Sequence, residues 1–168
     1  DDEGVWVVEL SDLELFFKNL TYDQICHEHL LYLGQSQMIR LANNAGLHLA
    51  DIKKNPINGG SACYYFKKSS TASAKEYPTF SDKDFSDFTN RILNHRDELS
   101  EFIKLAKGAG KEVAGYGAST KGNIVLNYCG IDSNDLEFIS DINPFKHDRI
   151  TPGSRIKIIS HDEMRTRK

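Results

Sequence analysis

Along this chain, short continuous apolar runs alternate with longer segments whose apolar residues recur every three or four positions. Val5-Trp6-Val7-Val8, up to Leu10, is the first such run and has the composition of a strand. Ser11-Asp12 then offers an N-cap for a short helix carrying Leu13, Leu15, Phe16 and Phe17. A polar stretch, Thr21 to His29, precedes a helix expected over Leu33 to Ala45 and closed by Gly46. Leu47 to Ile52 and Ala62 to Phe66 read as strands, joined through the turn-rich Asn55-Pro56-Ile57-Asn58-Gly59-Gly60. After Ser81-Asp82, the residues Phe85, Phe88, Ile92, Leu99, Phe102, Ile103 and Leu105 keep helical spacing as far as Lys107. Val113 to Gly117, Leu136 to Ser140 and Ile156 to Ile159 are three further strands. A helix over Lys121 to Cys129 follows the first of these, and Ser160 caps another after the last. Tyr64, Tyr65, Phe66, Phe85 and Phe88 are expected in the core.

This alternation predicts an α/β protein with mostly parallel, Rossmann-like sheets and flanking helices. The Ser- and Thr-rich stretch Lys67 to Lys75 is the expected linker. The chain opens without Met and stops within the start of a helix, so the fold reads as incomplete at both ends.

Composition narrows the function classes. A chain of 168 residues with 39% hydrophobic and 27% charged residues is that of a globular protein. A net charge of −3 gives no basic field for nucleic acid, and no apolar run is long enough for a membrane span. Cys26, Cys63 and Cys129 are too few and too scattered for a disulfide framework, which fits a cytoplasmic protein.

Three stretches carry candidate chemistry. In Cys26-His27-Glu28-His29, two imidazoles flank a carboxylate. Histidine moves protons near neutral pH, and a neighbouring carboxylate orients it. In an extended or turn conformation His27 and His29 share a side. The alternatives are a solvated polar face, or a metal element of Cys26, His27 and His29 that still lacks a convergent further ligand. In Tyr116-Gly117-Ala118-Ser119-Thr120-Lys121-Gly122-Asn123, a glycine turn opens a helix whose unpaired N–H groups attract phosphate, and Lys121 adds charge. The spacing is neither the dinucleotide fingerprint nor a Walker loop. The plainer alternative is a tight turn that needs small residues for packing. The third stretch, Asp141-Ile142-Asn143-Pro144-Phe145-Lys146-His147-Asp148-Arg149, then Thr151-Pro152-Gly153, follows a strand and lies at the sheet's carboxyl edge, the plainer alternative being a solvated loop with a Pro-Gly turn. There Lys146 and Arg149 are placed to extend a diphosphate site begun by Lys121.

Taken together, Tyr22 to Leu30, Asn58-Gly59-Gly60-Ser61, Gly115 to Asn123 with Leu126 to Ile131, Asp141-x-Asn143-Pro144-x-Lys146 and Thr151-Pro152-Gly153 resemble the S-adenosylmethionine-dependent sugar C-methyltransferases. The resemblance implies that residues 1–70 are the end of a methyltransferase domain and residues 80–168 a Rossmann-like nucleotide-sugar domain. It implies His29 as the base that removes the proton beside a sugar ketone, with Glu28, His27 and Cys26 around it. It also implies Tyr116, Gly117, Ser119, Lys121, Asn123, Asn127, Asn143, Lys146 and Arg149 as substrate-binding residues. The substrate is then a nucleotide-diphosphate keto-deoxysugar, dTDP-linked, whose enolate takes a methyl group from S-adenosylmethionine. In the family zinc belongs to an amino-terminal domain, and no metal is expected here. The family usually has tyrosine where Cys26 stands and histidine where Asn58 stands. No glycine-rich adenosylmethionine motif precedes Val5, so this polypeptide alone is expected to be inactive. A non-catalytic module that binds a nucleotide sugar or another phosphorylated ligand is the alternative.

Overall fold

The computed structural model describes residues 3–68 and 76–167. From residue 69 on, the expected linker lies outside the described residues. The chain divides into two compact units, Asp1–Tyr22 with His27–Thr89 and Asp23–Cys26 with Asn90–Lys168. Among the described residues no helix is long and apolar enough to cross a membrane.

In the first unit, strand β1 (Val5–Ser11) leads into helix α1 (Leu13–Asn19), and α2 (Gln35–Asn44) leads into β2 (His48–Asn55) and β3 (Ser61–Lys67). The strands form an antiparallel sheet in the order β1-β3-β2. The α/β class stands, but this sheet is antiparallel where alternation of strands and helices had pointed to parallel pairing. The reason is the five-residue connection from Pro56 to Gly60, which is long enough for a hairpin and too short for a crossover. Its backbone turns through three left-handed residues in a row, Asn58 (φ 54°), Gly59 (91°) and Gly60 (133°). A side chain at Gly60 would also bring its Cβ to 2.4 Å from the Cβ of Leu15, so the loop is seated directly on α1. Tyr64 and Phe66 on β3 are fully buried with Met38, Ile39 and Ala42 of α2. This confirms the core expected of them.

Asp12 fixes the β1–α1 junction. Its carboxylate is fully buried and accepts from the Leu15 N–H at 2.9 Å and from Gln35 Nε2 at 3.2 Å. Lys54 Nζ lies 3.5 Å away, and the Asp12 N–H donates to the Gly60 carbonyl at 3.1 Å. One aspartate therefore joins α1, α2 and the hairpin loop. Burial, and then the nearby Asp12 charge, raise the Tyr64 phenol well above its ordinary value. Its hydroxyl is shielded and has no hydrogen-bond partner.

Helix α3 (Asp82–Gly108) begins in the first unit and continues into the second. Phe88 is buried against Phe16 and Phe17. Phe85 is not in the core as expected: it is 51% exposed and meets Phe17 edge-on.

The second unit holds the parallel sheet, in the order β4 (Gly115–Tyr116), β5 (Ile139–Ser140), β6 (Ile158–Ile159). Helix α4 (Thr120–Cys129) connects the first two strands, and α5 (His161–Thr166) follows the third. The strands are shorter than their apolar runs, because only two residues of each find parallel partners. The core gathers Ile103 of α3 with Ile131, Leu136, Ile139, Ile156 and Ile158.

Asp12→Ala removes a helix cap and leaves the Gln35 amide short of a buried acceptor, so it should cost about 2 kcal/mol. Tyr64→Phe discards an unpartnered hydroxyl and should be neutral or stabilising by up to about 1 kcal/mol. Urea denaturation of both variants checks the pair, and a costly Tyr64→Phe would contradict the shielded, unpartnered hydroxyl.

Candidate functional site

The parallel strands of the second unit point their carboxyl ends at one set of loops, the edge at which open α/β sheets bind ligands. Gly117 follows β4 with φ +87°, a left-handed turn that turns the chain into α4. Ser119 caps that helix, its Oγ accepting from the Gly122 N–H at 3.0 Å. The Gly117 N–H donates to the Ser140 carbonyl at 2.7 Å and the Ala118 N–H to Asp141 Oδ2 at 2.7 Å. Three amides of this turn, at positions 117, 118 and 122, thus already have protein partners. An anion here would rely on the start of α4 beyond them and on the Lys121 ammonium.

Sequence reasoning placed Asp141 at the head of the third stretch without giving it a role, and this edge is built on it. Its carboxylate is 6% exposed. Oδ2 takes the Ala118 N–H and, at 3.1 Å, Lys146 Nζ; Oδ1 takes the Asn143 N–H at 2.8 Å. Lys146 also donates to the Ala118 carbonyl at 2.8 Å, and the Asp141 carbonyl lies 2.8 Å from His147 Nε2. Burial pushes the Asp141 pKa up, but the Asn143 amide, Lys146 and the Ala118 amide outweigh it and hold the carboxyl below its ordinary value. An acid standing directly after a strand at the carboxyl edge was the signal available.

The other expected substrate-binding residues divide. Tyr116, Gly117, Ser119, Lys121 and Asn123 lie along one strand-to-helix turn, and Lys146 is drawn to it. Asn123 Nδ2 bonds the Ser119 carbonyl at 2.9 Å, while its Oδ1 is shielded without a partner. Asn143 caps a short turn, accepting from the Phe145 N–H at 3.0 Å. Asn127 sits two turns along α4, where Nδ2 bonds the Asn123 carbonyl and, at 3.1 Å, the Pro152 carbonyl. There Gly153 comes so close that a Cβ would sit 1.9 Å from Asn127 Oδ1. Arg149 stands on the segment 148–150 that pairs alongside β6, on the side away from β4, and its N–H donates to the Lys146 carbonyl at 3.2 Å.

In the other candidate stretch, Cys26 is half-buried with a free thiol. His27 and Glu28 form an exposed turn in which His27 Nε2 lies 3.5 Å from Glu28 Oε1. His29 is exposed and meets Tyr32 edge-on at 6.4 Å between ring centres. Among the described residues no three His, Cys, Asp or Glu side chains are grouped to hold a metal ion.

The family described as the C-methyltransferase C-terminal domain matches residues 56–168, which contain this whole carboxyl edge. The chain belongs to that family. The C-methyltransferase NovU of Streptomyces niveus is 29% identical over 174 residues, a match that takes in 96% of this chain and 41% of NovU. The chain thus spans about two-fifths of the length of that curated relative.

C-methyltransferases imply S-adenosylmethionine, and neither the β1–α1 nor the β4–α4 turn fits it. The β1–α1 turn is filled by the buried Asp12 carboxylate. At the second turn Asp141 stands where a Rossmann fold keeps its ribose-binding acid, yet both its oxygens are engaged.

Because the folded Asp141 pKa is depressed, its contribution is complete above the ordinary value of 3.8 and is lost as pH falls through the lower folded value. Asp141→Asn should cost about 2–3 kcal/mol at neutral pH and flatten this part of the acid loss. Unfolding curves from pH 7 to pH 3 test this; equal pH slopes for the variant and the parent would rule it out.

Proposed function

We propose that this chain is the carboxyl-terminal portion of a cytoplasmic, S-adenosylmethionine-dependent C-methyltransferase acting on a nucleotide-diphosphate keto-deoxysugar, dTDP-linked. What chiefly supports this reading is the family match over residues 56–168, joined to a base-bearing motif outside that span. In it, the Lys121 ammonium and the first turn of α4 attract the diphosphate. The His29 imidazole takes the proton from the carbon beside the ketone, an acidic position because the carbonyl spreads the resulting charge. A base so placed contributes about 10²–10⁴-fold. Glu28, whose Oε1 lies 3.5 Å from His27 Nε2, stands beside the base in the chain. Cys26 is smaller than the tyrosine usual in the family and reaches less far toward an enolate oxygen. Neither the β1–α1 nor the β4–α4 turn suits the methyl donor, which supports the reading that the chain alone transfers no methyl group.

Labelled methyl transfer to a dTDP-keto-deoxysugar tests these roles. In the full-length enzyme, His29→Ala should lower kcat by about 10²–10⁴-fold with KM within a few-fold. Lys121→Ala should chiefly raise KM. The 168-residue chain should show no turnover. Full activity of His29→Ala would favour the alternative, a nucleotide-sugar or phosphate-ligand binding module.

A further inference from the structure

Beside the glycine turn stands an aromatic pair: Tyr116, which the resemblance implies binds substrate in a way not yet specified, and His161, which the proposed chemistry leaves unused. Tyr116, the last residue of β4, is 74% exposed although its partner in the sheet, Ser140, is buried. Its ring does not wave free. It lies on the His161 imidazole with 4.7 Å between ring centres and 20° between planes, a stacked geometry. His161 is itself set by the start of α5, where Ser160 Oγ accepts from the Glu163 N–H at 3.0 Å. The His161 Nε2 is shielded and has no hydrogen-bond partner among the described residues, so the stack on Tyr116 is the ring contact that the geometry shows.

An apolar cavity of about 400 Å³ opens at the same place, lined by Tyr116, Gly117, Gly122, Val125 and Leu126 among others. An exposed, pre-oriented aromatic face next to an apolar recess, one residue from a turn with a lysine, matches a ligand that has a flat ring at one end and phosphate at the other. A free tyrosine would lose rotamer entropy on stacking, and the imidazole beneath it has already removed part of that cost.

We propose that Tyr116, held by His161, is the stacking platform for the heterocyclic base of the nucleotide whose phosphates lie at Lys121. Tyr116 touches the ligand; His161 is a positioning residue that acts through Tyr116. This assignment rests on the nucleotide-sugar reading above and adds to it which end of the nucleotide lies where.

Calorimetric titration of the 168-residue chain with thymidine diphosphate and, separately, inorganic pyrophosphate tests it. Tyr116→Ala should weaken thymidine diphosphate by about 5- to 150-fold, the range of one base–aromatic stack, and leave pyrophosphate unchanged. Tyr116→Phe should restore the affinity. His161→Ala should weaken thymidine diphosphate by a smaller factor, again sparing pyrophosphate, and His161→Phe should recover it by keeping the stack. In a Tyr116→Trp variant, thymidine diphosphate should quench the indole emission and pyrophosphate should not. If both ligands bind the parent chain and Tyr116→Ala weakens both equally, or neither, the platform is wrong while the phosphate site stands. If the parent chain binds neither ligand, the nucleotide reading falls and the platform with it.

Discussion

A single buried carboxylate organises the functional edge of the second unit. Asp141 leaves β5 and at once gathers the β4–α4 turn, the Asn143 turn and the Lys146 side chain. Burying a charge costs several kcal/mol unless hydrogen bonds and a counter-charge compensate. Here two amides and an ammonium do so. The price of that stability is adaptability: amides held by Asp141 and Ser140 are not available to a ligand, so recognition shifts to side chains around the turn.

The first unit repeats the device. Asp12 also follows a strand directly, is also buried, and also stands near a lysine that is part exposed. It ties α1 to α2 through Gln35 and to the hairpin loop through Gly60. In both units, then, a strand ends in an aspartate whose main-chain and side-chain groups reach different loops. Loops fixed in this way keep their shape without a long sheet behind them, which suits strands as short as β4, β5 and β6.

Much of this was legible in the sequence because it is local. Apolar spacing located the helices, and Ser119, Ser160 and Asp12 cap them as their side-chain chemistry requires. The family was legible from long motifs in the right order. Pairing direction in the first sheet was not, since alternation of elements says nothing about whether a connection crosses over. The pairing of residues 148–150 alongside β6 was equally hidden, although the Arg149 N–H still donates to the Lys146 carbonyl at 3.2 Å. Asn127, which the resemblance implies binds substrate, also bonds the Pro152 carbonyl from α4. Asp141 was given no role because a carboxylate's importance here comes from three partners distributed over 28 residues of chain.

The place of β1 has a practical consequence for handling the protein. Among the described residues it pairs on one side only, and Val5, Trp6 and Val7 are each about half exposed. An edge with bulky apolar side chains that, among the described residues, is paired on one side is a template on which another extended segment can add. In concentrated solution such a border favours aggregation, and a charged substitution at Val7 offers a direct way to improve solubility.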